Sequence, residues 1–195
     1  MCGRTVSGMR RGHGGFSLVE LLVVLAVLGL VMAGALGLLE AGMRSYALGA
    51  ARTEAQQAAR VALERIAREL RQAGYDPAGV GTAAIVEAEP TRLTFQVDAN
   101  GNGVIDATRE RITYLVRNDG VLRRDAGAGA QPIVDGVRRL EFAYVDRAGL
   151  PTADPTAVRA VRIRIETGRA RAAGPPGTAP GVIMETEVAL RNDVP

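Results

Sequence analysis

A single apolar block over residues 14–39 constrains the fold of this chain more than any other feature. The block carries one charge, Glu20, close to its start. Residues 16–39 number 24, and a helix needs about 20 apolar residues to cross the hydrocarbon core of a bilayer. A carboxylate at the centre of a membrane helix costs about 2.5–3.5 kcal/mol, and less near an end. Because a simple anchor has no need of such a group, Glu20 is predicted to be a functional residue.

A short basic segment precedes the block and accounts for the charge of the chain. The formal net charge is +3 and the pI is about 9.6. Three of the 24 basic residues are Arg4, Arg10 and Arg11, and the other 21 balance the 21 acidic residues. Basic residues beside an apolar segment mark its cytoplasmic side. The charge therefore indicates an orientation in the membrane rather than an acidic partner.

The order of residues around the start of the block resembles the N-terminal motif of type IV prepilins and pseudopilins. Residues 15–20 read Gly-Phe-Ser-Leu-Val-Glu, after a basic leader and before an apolar run. The resemblance implies cleavage between Gly15 and Phe16 by a prepilin peptidase, and methylation of the new amine of Phe16. It also implies assembly into a filament in which the Glu20 carboxylate pairs with the N-terminal amine of a neighbouring subunit. The alternative is a carboxylate that reaches the membrane interface without a partner.

A secretory signal peptide is the other interpretation of this N-terminus. A basic region and an apolar region are both present, and Ala33-Gly34-Ala35 has the small residues of a cleavage site. Such a cut would leave a chain that begins at Leu36. Two features favour the prepilin interpretation, because Glu20 would lie inside the apolar region and the helical pattern continues past Ala35.

The sequence offers little material for catalysis. Cys2 and His13, the single cysteine and histidine, both precede Gly15. Cleavage at Gly15 would leave no Cys or His nucleophile, no Ser-His-Asp triad, no zinc site of Cys or His and no disulfide. The remaining carboxylates form no recognisable catalytic set. The chain is predicted not to be an enzyme and to need no cofactor, apart from the Ca²⁺ alternative below.

Helical periodicity continues beyond the block and then gives way to strands. Apolar residues recur at spacings of three and four in one stripe from Leu48 to Ala73, and Gly74 and Pro77 supply stop signals. This pattern predicts one helix from about Phe16 to Ala73. The chain then divides into a leader over residues 1–15, a transmembrane or filament-core helix over 16–39, an amphipathic continuation over 40–74 and a β-rich head over 75–195.

Alternation of apolar and polar residues predicts the strands of the head. The five clearest segments are residues 93–97, 112–116, 140–144, 161–165 and 182–190, and three shorter ones are 84–89, 120–124 and 131–134. Asn118-Asp119-Gly120 predicts a turn, and residues 126–130 and 168–181 predict loops. The predicted fold class is α+β and type IV pilin-like, with a long N-terminal helix packed on an antiparallel sheet.

Residues 98–110 carry the oxygen spacing of a Ca²⁺ loop. The candidate ligands alternate along the chain, with a glycine at position six: Asp98, Asn100, Asn102, Asp106 and Glu110. Position twelve departs from the EF-hand pattern, because it is Arg109 and the acid follows one residue later. No helical periodicity flanks the segment. A hairpin loop built from Asn-Gly turn residues is the alternative.

Arg159, Arg162 and Arg164 raise the question of nucleic-acid binding. Phosphate binding needs clustered cations without compensating acids. Outside the leader the charges balance, and Arg162 and Arg164 fit the solvated face of a strand. The charge distribution argues against direct DNA binding.

Segments of the C-terminal half also resemble a narrower family. Residues 110–114, 133–144 and 157–165 are similar to PilW-type minor pilins and to the J-type pseudopilins of type II secretion. The resemblance implies a minor subunit that primes filament assembly with other minor pilins, with a pseudopilin as the alternative. It places the chain in the inner membrane, with the head outside the cytoplasm, and then in a pilus or pseudopilus. A membrane-anchored binding module, with residues 168–181 as its contact surface, is the alternative from another class.

Overall fold

The computed structural model describes residue 15 and residues 17–168 and 181–192. These residues form one α-helix, α1 (Leu18–Leu70), one 3₁₀ turn, η1 (Pro155–Ala157), and eight strands. The chain divides into two compact units, of which the first ends at Tyr46 and the second begins at Ala47. The strands are β1 (Ile85–Glu89), β2 (Arg92–Gln96), β3 (Arg111–Val116), β4 (Leu122–Asp125), β5 (Gln131–Val134), β6 (Val137–Val145), β7 (Ala160–Thr167) and β8 (Val182–Ala189).

The part of α1 in the second unit packs through small side chains. Its buried residues are mainly alanines, which allow close approach to the strands, together with Leu63, Ile66 and Leu70. The apolar stripe predicted from Leu48 is buried only from Ala55 onward, and Leu48 is 49% exposed. The helix ends at Leu70 rather than at the predicted Ala73, and a turn follows.

All strands pair antiparallel, in two sheets rather than in the one predicted. The first sheet has the order β1-β2-β3-β4-β5, and the second has the order β6-β7-β8. The division falls between β5 and β6, where Gly136 adopts a φ of 75°. A residue with positive φ interrupts an extended strand, so β6 leaves the first sheet. The predicted turn at residues 118–120 lies between β3 and β4, and the loop at 126–130 lies between β4 and β5.

Hydrogen bonds from β6 join the two sheets. The Phe142 amide donates to the Pro90 carbonyl over 2.7 Å, and the Tyr144 hydroxyl donates to the Glu89 carbonyl over 2.7 Å. Burial raises the pKa of the Tyr144 hydroxyl above its ordinary value, with Glu87 and Glu89 adding to the effect. The Tyr144 hydroxyl therefore stays protonated and donates at neutral pH.

Two polar contacts hold the second-unit part of α1 against the strands. The Thr167 hydroxyl donates to the Ala55 carbonyl over 2.6 Å in a buried position. The Arg124 guanidinium on β4 donates to the Glu69 carboxylate over 2.7 Å. Beside this ion pair, burial raises the pKa of Tyr114, and the Glu69 charge raises it further. These contacts fix the rotation of the helix, which alanine packing alone specifies weakly.

Gly74 at the end of the turn after α1 provides a test of this packing. Its φ is 73°, and an added Cβ would lie 2.5 Å from the Asn192 carbonyl oxygen and 2.9 Å from the Ala84 Cβ. A left-handed conformation costs an L-residue roughly 1–2 kcal/mol. We expect Gly74→Ala to lower the free energy of unfolding by this conformational cost. The steric overlap of the added Cβ with Asn192 and Ala84 should lower it by about 1–3 kcal/mol more. Chemical denaturation of the full chain in detergent measures the change.

Gly79 supplies the matched control for this substitution. Its φ is 67°, but an added Cβ would meet nothing within 4 Å. Gly79→Ala should therefore cost only the conformational strain. Equal losses in the two variants would show that the approach of Asn192 to Gly74 does not constrain the fold.

Candidate functional site

The two described residues before α1, Gly15 and Ser17, have no helical structure. Gly15 and Ser17 are exposed, and a Cβ added at Gly15 would meet nothing within 4 Å. The predicted methylation site Phe16 lies outside the described residues. A helical hydrogen bond runs from the Leu21 amide to the Ser17 carbonyl over 3.1 Å. The predicted cleavage position therefore lies next to an open glycine, immediately before the helix.

Glu20 lies in the first turn of α1 and is exposed. At this position the partial positive charge of the helix N-terminus stabilises a carboxylate by about 0.3–1 kcal/mol. A carboxylate in lipid near a helix end costs less than the roughly 2.5–3.5 kcal/mol of an acid at the bilayer centre, and the helix N-terminus offsets part of that cost. Within the described residues Glu20 forms no ion pair. The carboxylate is thus available to a cation supplied by another molecule.

The rest of this helical segment is apolar and exposed. Leucine, valine and methionine side chains between Leu18 and Leu39 are each at least half exposed. These 22 residues rise about 33 Å at 1.5 Å per residue, close to the thickness of a bilayer core. By length and composition α1 can cross a membrane. This apolar surface fits membrane anchoring.

An ion pair that the sequence interpretation missed marks the end of the apolar surface. The Arg44 guanidinium contacts the Glu40 carboxylate one helical turn away. The i,i+4 spacing of Glu40 and Arg44 was the available signal. Glu40 therefore has a cationic partner in its own chain, whereas Glu20 has none among the described residues.

Residues 98–110 form the connection between β2 and β3, which pair as a hairpin. Asp98 is fully buried, and its carboxylate accepts three backbone N–H groups. The distances are 2.8 Å from Gly101, 3.2 Å from Asn102 and 3.0 Å from Gly103. The Glu110 carboxylate closes the other side of the loop, accepting from the amides of Asn100 at 3.1 Å and Asp106 at 2.9 Å.

The remaining candidate ligands also bond within the loop. The side-chain oxygens of Asn100 and Asn102 accept backbone amides two residues ahead, at 2.9 and 2.8 Å. The hydroxyl of Thr108 donates to Asp106 and holds the pKa of that carboxyl below its ordinary value. In the described part of the chain, no three His, Cys, Asp or Glu side chains gather as a metal cluster. The loop geometry favours the hairpin interpretation, and the Ca²⁺ site stays a prediction.

Two of the arginines that raised the question of DNA binding, Arg162 and Arg164 on β7, lie opposite acidic residues of neighbouring strands. Arg162 on β7 pairs with Glu185 at 3.4 Å and with Glu187 at 2.9 Å on β8. The Arg159 guanidinium donates to the carbonyls of Thr156 and Val158. The cation on Arg162 is therefore already compensated on the sheet surface.

The exposed apolar helix and the antiparallel head together define a type IV pilin-like subunit, and comparison with known families agrees. Residues 10–36 match the prokaryotic N-terminal methylation motif. Residues 49–172, more than half of the chain, match the family described as prepilin peptidase-dependent protein B, and the chain belongs to that family. No curated protein matches the chain. The prepilin resemblance is confirmed, and the chain is a pilin- or pseudopilin-type structural subunit.

Asp98 separates the two interpretations of the β2–β3 loop. We expect Asp98→Ala to lower the free energy of unfolding by about 1–3 kcal/mol, because the loop loses the buried carboxylate that accepts three of its backbone amides. Asn102→Ala, which removes an exposed acceptor, should change it by about 0.5 kcal/mol or less. Denaturation of the full chain in detergent, with Ca²⁺ and with a chelator, measures both variants.

In the hairpin interpretation the loss caused by Asp98→Ala is the same with Ca²⁺ and with chelator. If Ca²⁺ raises the melting temperature of the unmodified chain, and Asp98→Ala abolishes that rise, the loop binds metal and the hairpin interpretation is incomplete.

Proposed function

We propose that the chain is a minor pilin that helps to prime a type IV pilus-like filament together with other minor pilins. The observation that carries the proposal is the carboxylate of Glu20, exposed on a helix whose neighbouring side chains are apolar. The methylation motif that matches this chain spans Gly15, Phe16 and Glu20. Cleavage after Gly15 by a prepilin peptidase and methylation of Phe16 are parts of the same proposal.

Cleavage supplies a cation for Glu20, which has no ion-pair partner in the part of the chain that the structure describes. Before the cut the nitrogen of Phe16 is a neutral amide, and after it the nitrogen is an amine that carries a positive charge at neutral pH. In a low-dielectric setting, the amine of one subunit and the Glu20 carboxylate of its neighbour attract each other strongly and offset their loss of hydration. Pairing at this point sets the axial register of a new subunit. A precursor that still carries its leader cannot form the pair.

Orientation in the membrane follows from the charges outside the apolar segment. The basic residues Arg4, Arg10 and Arg11 favour a cytoplasmic leader, which leaves the head on the other side of the inner membrane. After processing, the subunit moves from the membrane into the filament. The assignment as a minor rather than a major subunit is supported by the similarity of residues 133–144 and 157–165 to PilW-type minor pilins. These segments include parts of β5, β6 and β7 in the head.

Glu20 and Glu40 provide a matched pair of substitutions. Both are exposed carboxylates on α1, but among the described residues only Glu40 has an ion-pair partner. We expect Glu20→Gln to lower the fraction of mature subunit recovered in sheared filaments by at least about tenfold, the effect of 1.4 kcal/mol. Glu40→Gln should change that fraction little. Immunoblots of filament and membrane fractions measure incorporation and cleavage together.

Gly15→Val serves as the processing control, because a branched side chain before the cut should leave the longer precursor in the membrane. Glu20→Gln, in contrast, should still be cleaved. Normal incorporation of Glu20→Gln would contradict the proposed pairing. A wild-type subunit that stays in the cell envelope and supports protein secretion would identify a pseudopilin instead.

A further inference from the structure

The four sheet edges in the head differ in how well they are protected against pairing with another strand. At β1 the register shifts between Ile85 and Glu87, and η1 packs beside that strand. At β5 the strand is only four residues long and contains Pro132. The edge strand β6 is joined to the first sheet by Phe142. Bulges, proline and covering segments are the usual means of blocking an edge.

The eight-residue strand β8 lacks these protections. It pairs with β7 without a register shift from Val182 to Ala189 and contains no proline. The Leu190 amide donates toward β7, to the Arg159 carbonyl, over 2.9 Å. Because hydrogen-bonding direction alternates along a strand, the backbone groups of residues 183, 185, 187 and 189 point away from β7. Within the described residues no strand pairs with that edge.

A groove of about 530 Å³ runs along β8 beside α1, within the second unit. Leu63 and Ala67 form its apolar floor and are almost fully buried. Met184, Glu185 and Thr186 form the β8 side, and the Glu185 carboxylate is paired with Arg162 over 3.4 Å. A strand added to β8 would extend the second sheet over this floor, with every second side chain directed toward α1.

The charge of the groove identifies the strand that it suits. Its helical rim carries Arg60, Arg68 and Arg71. Arg60 is paired with Glu64 over 2.7 Å. Arg68 and Arg71 are exposed and form no ion pair with the rest of the described chain. An added strand with acidic side chains on the face toward α1 would bring carboxylates to these two cations.

We infer that the free edge of β8 and the groove beside it bind an extended acidic segment of a partner protein by strand addition. Backbone hydrogen bonds to β8 supply affinity, and Arg68 and Arg71 select acidic over basic sequences. This surface uses neither Glu20 nor the Gly15 cleavage position. A negative result for peptide binding at this surface would therefore not contradict the proposed assembly role. A negative result for filament assembly would likewise not contradict this inference.

A labelled eight-residue peptide of alternating glutamate and valine provides the probe, with a lysine–valine peptide as its counterpart. Fluorescence anisotropy with the full chain in detergent measures binding. We expect the acidic peptide to bind at least about tenfold more tightly than the basic one. The double substitution Arg68→Glu and Arg71→Glu should remove this preference. Arg147→Glu, at an exposed arginine in the turn after β6, should leave it unchanged.

The backbone contribution is tested at Glu187. Its amide points away from β7, so Glu187→Pro removes a donor from the free edge and spares the bonds to β7. Glu187→Ala removes the same side chain but keeps the amide. Binding of the acidic peptide should weaken about tenfold or more in the proline variant and stay within about twofold in the alanine variant.

Several results would overturn the inference. Equal binding of the two peptides, or none, would exclude an acidic strand as the occupant. If Arg147→Glu removes the preference for the acidic peptide as fully as the double variant does, the preference reflects the overall charge of the protein rather than this groove. Concentration-dependent dimerisation of the full chain that Glu187→Pro abolishes would assign the edge to a second copy of this chain instead. If the proline variant does not fold, the arginine double variant alone decides between these outcomes.

Discussion

The carboxylate of Glu20 on an apolar helix is the constraint on which the proposed function depends. A membrane helix that carries an acid in its first turn is poorly matched to lipid alone, because the helix dipole offsets only part of the cost. The missing cation would be created by removal of the leader. In the proposed function, processing and assembly are coupled in one segment, since the step that frees the amine of Phe16 would also complete the ion pair with Glu20.

Two kinds of contact hold the head together. Small side chains allow the helix and the strands to approach closely, and polar side chains fix their arrangement. Alanines on α1 allow the helix to approach the strands within the second unit. Because alanine packing alone would allow several positions of the helix on the strands, the polar contacts Thr167–Ala55 and Arg124–Glu69 fix one arrangement. The loop between β2 and β3 works in a similar way, because the buried carboxylate of Asp98 organises three backbone amides.

Local patterns predicted most of this architecture. All eight strands lie where alternation placed them, within three residues, and the α+β class and the prepilin motif are confirmed. The division into two sheets was not predictable, because it depends on the φ of Gly136 and on the hydrogen bond from Phe142 to Pro90. Ligand spacing in residues 98–110 could not reveal that Asp98 and Glu110 turn their oxygens toward backbone amides. The unpaired edge of β8 became visible only with the strand order.

Mass spectrometry of the mature subunit from purified filaments tests the central claim most directly. The proposed function predicts a chain that begins at Phe16, with a methyl group on its terminal amine and without residues 1–15. A chain that begins at Leu36 would mean that the apolar segment is a signal peptide. It would then contradict the roles assigned to Gly15, Phe16 and Glu20 together.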